Sequence, residues 1–414
     1  MLTYRSYRTE LEPTRHQRVL LARHCGAARF AYNWGLARRI QAYERDGTVL
    51  TSIDLHRELN QLKRTNFPWL YDVSKCAPHE ALRNLDQAFS FFFRGLGSGR
   101  RVGFPTFKKR KQGRASFRLN GVIRVFQGHI QLPRLGRLRL KEEGYLPTSG
   151  VHLLSATVVE EGSRWFVSLR VREEIVVPTN VGPVVGADFG LVNLVTTSDG
   201  EVFPNVRPRR RQERRIRRLS RSLARKQNGS ANRRKAARLL SRVHAKIANA
   251  RKDHLHKVSS SLAKTKSVLV IEDLSVRAMQ RSHRLGSSLP DAGLGELRSL
   301  LEYKAEWYGA VLHVASRFYP SSQRCSECGW INSRLPMSAR TFVCPSCGYC
   351  RDRDVNAALN LKSLVAASSA ETQNACGVGS AGRLRSVELP MWNQEPDSDD
   401  LENGKVIGVS AAPA

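Results

Sequence analysis

The chain has 414 residues, room for two or three domains with sizeable apolar cores. Its 68 Lys and Arg against 36 Asp and Glu leave a formal charge of +32, which argues against a small-molecule enzyme and for a polyanionic partner, although a ribosomal-type binding protein carries such charge too. No stretch reaches membrane-spanning length and the N-terminus opens MLTYRSYRTE, not with a charged and then apolar leader, so a soluble, cytoplasmic protein without a membrane partner is expected.

Leu2 to Arg8 alternate as a strand, and Thr14 is placed to cap a helix in which Leu20, Leu21, Ala27, Ala28, Ala31 and Leu36 recur near helical spacing. Further helical segments cover 52 to 64 and 76 to 96. The second carries Leu82, Leu85, Ala88, Phe89, Phe92 and Phe93 on a broad apolar side, which reads as core and not as a base-stacking box. Gly95 to Gly103 break the pattern. Phe104-Pro-Thr-Phe-Lys108-Lys109-Arg110-Lys111 follows, basic with interleaved aromatics, and its cations are nucleic-acid-binding candidates.

From Ala115 to Glu174 the period changes to two, with short strands near 116 to 119, 122 to 126, 129 to 132, 136 to 140, 153 to 160 and 164 to 171. Turns at Asn120-Gly121 and Glu161-Gly162 separate several of them. Joined with the first strand, they predict a small antiparallel β-barrel with a helical insertion.

Val184-Val-Gly-Ala-Asp188-Phe-Gly-Leu191 reads as a buried strand carrying one carboxylate, followed by Leu194 to Thr197, an Asp199-Gly200 turn and Glu201 to Phe203, a hairpin signature. Asp188 before Phe-Gly is compatible with a turn-forming acid; its place within the sheet layer points instead to a ligand. Residues 207 to 257 contain twenty Lys or Arg and two acids, Glu213 and Asp253, with apolar positions that support two helices broken at Asn228-Gly229. Such a density of like charge repels itself without a counter-charge, so Arg209, Arg210, Arg214, Arg217 and Arg218 are candidates for a nucleic-acid backbone as well as for a solvated face. His254-Leu-His256 lies in this helical run, where neighbours two apart point in different directions, so it is not a paired-imidazole metal site.

Ser267 to Asp273 is a second apolar strand ending in acids, Glu272 and Asp273. Then come two knuckles, Cys325-Ser-Glu-Cys328 and Cys344-Pro-Ser-Cys347, fifteen residues apart. Four thiolates at that separation suit tetrahedral zinc with no open position, hence a structural ion. Cys350 is a bystander thiol, and Cys25, Cys76 and Cys376 lie in unlike contexts, so no disulfide framework is expected. Asp352-Arg-Asp354-Val-Asn-Ala-Ala opens a helix; either acid suits a ligand, and Asp352 also suits its N-cap. A carboxylate ending a core strand is costly unless it binds a cation or a donor. Three acidic stations converging on one sheet would hold hard cations, Mg2+ or Mn2+, roughly 3.5 to 4 Å apart for displacement at phosphorus, as in ribonuclease-H-like nucleases and transposases. No GxxxxGK[ST] loop occurs, so ATP use is not implied. After Val365 the chain turns small and polar, then acidic from Glu388 to Glu402, and residues 367 to 414 read as a disordered tail.

The runs GADFGLVNLVTTSDG, VLVIEDLSV, DAGLGELRSLLEYKAEWYGA, YPSSQRCSECG, FVCPSCGY and DRDVNAALNL, in this order from about residue 184 to 365, resemble the TnpB (OrfB) proteins of insertion sequences, relatives of the type V CRISPR effectors. RTELEPTRHQRVLLARHCGAARFAYNWGL, VGFPTFKKRK and QNACG fit as well. The resemblance implies a RuvC-like (ribonuclease-H-like) α/β domain over 182 to 318 and 350 to 366, interrupted by a zinc ribbon for target nucleic acid at 319 to 349. It also implies a wedge β-barrel at 1 to 10 and 115 to 178, with a helical recognition insertion at 11 to 114. By the same resemblance Asp188, Glu272 and Asp354 are catalytic metal ligands, with Asp273 capping the next segment; the spacing of Asp354, Ala357, Ala358 and Leu361 also turns Asp354 toward the sheet. The activity implied is RNA-guided cleavage of DNA next to a short flanking motif, by a monomeric ribonucleoprotein whose guide RNA comes from the element's own end and whose targets are double- and single-stranded DNA. Rival readings are a DNA-strand transposase using the same triad and a catalytically idle RNA-guided repressor.

Overall fold

The structure, a computed structural model, describes residues 1–110, 114–276, 279, 288–336 and 338–374. Lys111 lies outside the described residues, as does nearly all of the expected tail.

In the N-terminal half a strand, β1 (Leu2–Leu11), leads into a long helix, α1 (Arg15–Asp46). Thr14 caps it as expected, in a reciprocal box with Gln17. Helices α2 (Ser52–Thr65) and α3 (Cys76–Gly97) follow, with a short 3-10 turn at Pro68–Asp72 between them. Leu21, Leu36, Leu55, Leu82 and Leu85 share one core with the strands behind them. Full burial in α3 ends at Leu85 apart from Gly95, so the core expected at Phe93 does not form: the residue is 61% exposed. Phe89 still packs against that core as expected, whereas the last turn extends beyond it: Phe93 stacks on Phe89, and Phe92 meets Phe93 and Phe104 edge to face.

The strands are β2 (Ala115–Leu119), β3 (Arg124–Phe126), β4 (His129–Leu132), β5 (Gly136–Arg139), β6 (His152–Glu161) and β7 (Arg164–Glu174). They form two sheets, ordered β1-β7-β6-β2 and β3-β4-β5. A bridge at Leu11 and Leu140 joins them at one corner, and inward alternation buries Phe117, Leu119, Val158, Val167, Leu169 and Val171.

The second half is built on a five-stranded sheet of β8 (Val184–Phe189), β9 (Asn193–Thr197), β10 (Val202–Pro204), β11 (Val268–Glu272) and β12 (Val311–Ala315), ordered β10-β9-β8-β11-β12. The hairpin strands are antiparallel, whereas β8, β11 and β12 run parallel. Alternation along the strands decides what each face meets. Val185, Ala187, Leu269 and Ile271 lie against α5 (Ala231–Thr265) and α7 (Leu294–Trp307) through Leu255, Val258, Leu262, Leu297 and Leu301. Val270 points the other way, toward Leu361 of the last helix, α8 (Arg353–Asn374). The strongly basic α4 (Pro208–Ala224) lies on α5 and buries only Pro208, and a short helix, α6 (Ser288–Ala292), precedes α7. A small antiparallel ribbon, β13 (Thr341–Val343) with β14 (Cys350–Asp352), leads into α8. No helix among the described residues is long and apolar enough to cross a membrane.

Candidate active site

Asp188 and Glu272 owe their proximity to register. The last paired couple of the parallel strands β8 and β11 is Ala187 with Ile271, so the two acids occupy the next position, one beyond the ladder, on neighbouring strands. Both share the face of Gly186 and Val270, the face that α8 covers. At Gly186 the strand meets the backbone of α8: an added Cβ would strike the Ala358 carbonyl oxygen and the Lys362 amide. Two residues along the strand lead to Asp188, roughly 6.6 Å; four residues back along α8 lead to Asp354, roughly 6 Å. The helix contact therefore sets the third acid level with the first.

The electrostatics report the same convergence. Burial, then the charges of Glu272 and Asp354, hold the Asp188 carboxyl well above the usual carboxylate range, with Arg353 opposing. Burial raises Glu272, against a hydrogen bond from the Ser321 hydroxyl and the charge of Arg353. Asp354 is raised by burial and by Asp352, against Arg340 and Arg353. Three partly or fully buried carboxylates held above their usual range, with the charges of two of them acting on Asp188, are a donor set that a hard divalent cation neutralises, so these residues fit such an ion. They form an open set: among the described residues, only the four cysteines bring three or more potential ligand atoms within 4.8 Å of one another.

The two ambiguous pairs separate. Asp352 Oδ1 accepts the backbone N–H of Asp354 at 2.9 Å and of Val355 at 3.1 Å, which makes it the cap of α8 and leaves the Asp354 carboxylate for the sheet. Asp273 pairs with Arg298 and Arg317, which hold it below the usual range; most of the segment it is expected to cap lies outside the described residues. These arginines are brought in by α7 and by the chain after β12.

Cys325, Cys328, Cys344 and Cys347 come together as the spacing predicts, and the four-thiol cluster fits a zinc site. Exposed Cys350 stays outside it. Each knuckle closes on itself: Gly329 N–H donates to the Cys325 carbonyl and Gly348 N–H to that of Cys344, both glycines at positive φ.

The basic candidates divide. Arg214, Arg217 and Arg218, with Arg221 and, just past the end of the helix, Arg225 and Lys226, line one open groove along α4. Arg209 and Arg210 are exposed at its start, where their backbone N–H groups donate to Asp291. Arg217 also pairs with Glu213. Lys109 and Arg110 are exposed. Lys108 is half-docked: its ammonium sits 3.8 Å from the centre of the Tyr32 ring, and its backbone is held by Asn33. Ser321, Asn356, Asn360 and Arg353, which bind the ribbon to the acids, do not stand out in the sequence; the i, i+4 pair of asparagines on a helix otherwise bearing Ala357, Ala358 and Leu361 inward is the signal it offers.

A mixed sheet of this order, carrying acids at the end of its parallel strands and a cysteine ribbon beside them, is consistent with a RuvC-like nuclease fold. One solved structure, "Cryo-EM structure of the Cas12f1-sgRNA-target DNA complex", shares the fold with a TM-score of 0.51 at 16% identity, over 84% of this chain and 83% of that one. The chain belongs to the TnpB (OrfB) family. Its residues 166–283 match the OrfB family model described as "Probable transposase", 295–361 match "Cas12f1-like, TNB domain", and 1–48 match the OrfB family's "Helix-turn-helix domain". A Streptomyces pristinaespiralis protein named "Putative RNA-guided DNA endonuclease" is 36% identical over 91% of both chains. Escherichia coli (strain K12) has a relative named "Putative RNA-guided DNA endonuclease InsQ", 33% identical over 87% of this chain and 92% of its own.

Proposed function

We propose that this protein is an RNA-guided DNA endonuclease of a transposable element, a cytoplasmic, monomeric ribonucleoprotein that hydrolyses target DNA beside a short flanking motif. The observation that carries the reading is the placement of Asp188 and Glu272 side by side at the ends of parallel strands, with Asp354 brought level from α8, in a chain whose relatives are named as such nucleases. Divalent cations bound there, Mg2+ or Mn2+, would supply Lewis acidity at the scissile phosphate. The chain's own residues do the rest. Asp188, Glu272 and Asp354 hold the charge, the Ser321 hydroxyl orients Glu272, and Arg353 tempers the repulsion among the acids. The zinc ribbon and the arginines of α4 hold nucleic acid away from the chemistry, and guide pairing supplies sequence choice.

The test is to purify the protein with its element's end, sequence the RNA that copurifies, and offer a plasmid matched to that RNA with Mg2+ or with a chelator. Guide-matched, Mg2+-dependent cleavage supports the proposal. Binding to the element's own ends without RNA would favour a DNA-strand transposase, and guided binding without cleavage would indicate an idle repressor.

A further inference from the structure

One six-residue segment, Ser321 to Ser326, touches both metal-binding centres. At one end the Ser321 hydroxyl donates to Glu272; at the other lies Cys325, a member of the thiol cluster. Between these points its backbone is fastened to α8 by two side-chain amides. Asn360 Nδ2 donates to the carbonyls of Ser321 at 2.8 Å and Arg324 at 2.6 Å. Asn356 Nδ2 donates to the Arg324 carbonyl at 2.7 Å, and its Oδ1 accepts the Ser326 N–H at 3.1 Å. Both asparagines are enclosed, at 0% and 2% exposure, on a helix face where alanine or leucine would satisfy burial alone. Buried amides stay satisfied only while the ribbon backbone holds its place, because a broken partner leaves a polar group without water.

Asn356 lies two residues beyond Asp354, and Asn360 one turn further. We infer that Asn356 and Asn360 are positioning residues that make the zinc ribbon part of the scaffold of the carboxylate site, so that the seating of the ribbon sets the geometry of Asp354 and, through Ser321, of Glu272. This rests on the reading of those acids as divalent-cation ligands. The ribbon then does more than hold nucleic acid: its folding assembles the site.

The experiment uses the full-length, zinc-loaded chain freed of RNA, with Mn2+ as the probe and free Mn2+ counted by electron paramagnetic resonance. Asn360→Asp keeps the volume but sets an acceptor against two carbonyls. Mn2+ affinity should fall by roughly ten- to hundredfold, the usual effect of losing a group that orients metal ligands. A merely structural role would lower the melting temperature and leave Mn2+ affinity unchanged well below it, and that result overturns the inference. Should Asn360→Asp not fold, stripping zinc from the wild-type chain decides: weakened Mn2+ binding upholds the coupling, and unchanged binding refutes it. Asp354→Asn is run alongside. If that variant binds Mn2+ as the wild type does, the failure belongs to the proposed metal site and not to the asparagines.

Discussion

Gly186 and Ala358 meet backbone to backbone, with no room for a side chain between strand and helix. That contact brings Asp354 down to Asp188, so a single methyl group at the glycine should act on the site from below. Gly186→Ala is expected to destabilise the chain by about 1–3 kcal/mol, the usual cost of overpacking, and to reduce cleavage as α8 lifts. Thermal unfolding together with a cleavage assay checks this; wild-type activity in a stable Gly186→Ala protein would show that the helix has slack.

Replacing Asp188, Glu272 or Asp354 with alanine should abolish cleavage while the fold survives, because each loss also relieves repulsion in the metal-free chain. The pH dependence has a definite sign. Asp188 titrates well above the usual carboxylate range in the folded state, so between the ordinary and the raised value the folded chain holds a proton that the unfolded chain has released. Metal-free stability therefore falls as pH rises through that window, and Asp188→Asn should remove part of the fall. Urea unfolding in chelator, at mildly acidic and at neutral pH, measures it; a variant as pH-sensitive as the wild type would contradict the assignment.

Asp352 and Asp354 are two residues apart and should behave differently. Asp352→Ala removes the cap of α8 and should cost about 1 kcal/mol with cleavage largely retained. Asp354→Ala should be inactive at wild-type stability or better. If the outcomes are exchanged, the third ligand has been misassigned.

Elemental analysis should find one zinc ion per chain, matching the single thiol cluster among the described residues. Cys344→Ser should lose it and lower activity and stability together, since folding of such a ribbon is driven by its metal. A zinc-free preparation that is fully active and equally stable would rule out the structural ion.

Local spacing makes much of this site legible. Two CxxC knuckles declare their ligands without any knowledge of the fold, and an acid that ends an apolar run is visible as soon as the run is recognised as a strand. What stays hidden depends on partners remote in sequence. Nothing near Lys108 says that its ammonium settles on Tyr32, and nothing near Asp273 says that Arg298 and Arg317 will claim it. Asn356 and Asn360 look like ordinary helix polar residues because their partners lie across the ribbon. The barrel expectation follows period-two alternation, which identifies strands but does not say which edges pair; the strands form two sheets joined at Leu11 and Leu140.

The groove of Arg214, Arg217, Arg218, Arg221, Arg225 and Lys226 runs along α4 and just past its end, and the helix buries only Pro208, so its charge is not needed to build a core. If it grips a nucleic-acid backbone, each cation neutralising a phosphate releases a counterion, and the logarithm of affinity falls with the logarithm of salt in proportion to their number. Reversing Arg214, Arg218 and Arg221 to glutamate should therefore weaken guide-RNA binding and flatten the slope by roughly 0.7 to 0.9 for each lost contact. Arg217 is the poorer choice because Glu213 already holds it. The acids on the sheet are untouched by these changes, so the single-turnover cleavage rate at saturating nucleic acid should fall less than affinity does. Binding measured across a salt series decides the matter: an unchanged slope would make α4 a solvated face and move the backbone contacts to Lys109, Arg110 and the β-sheets of the N-terminal half.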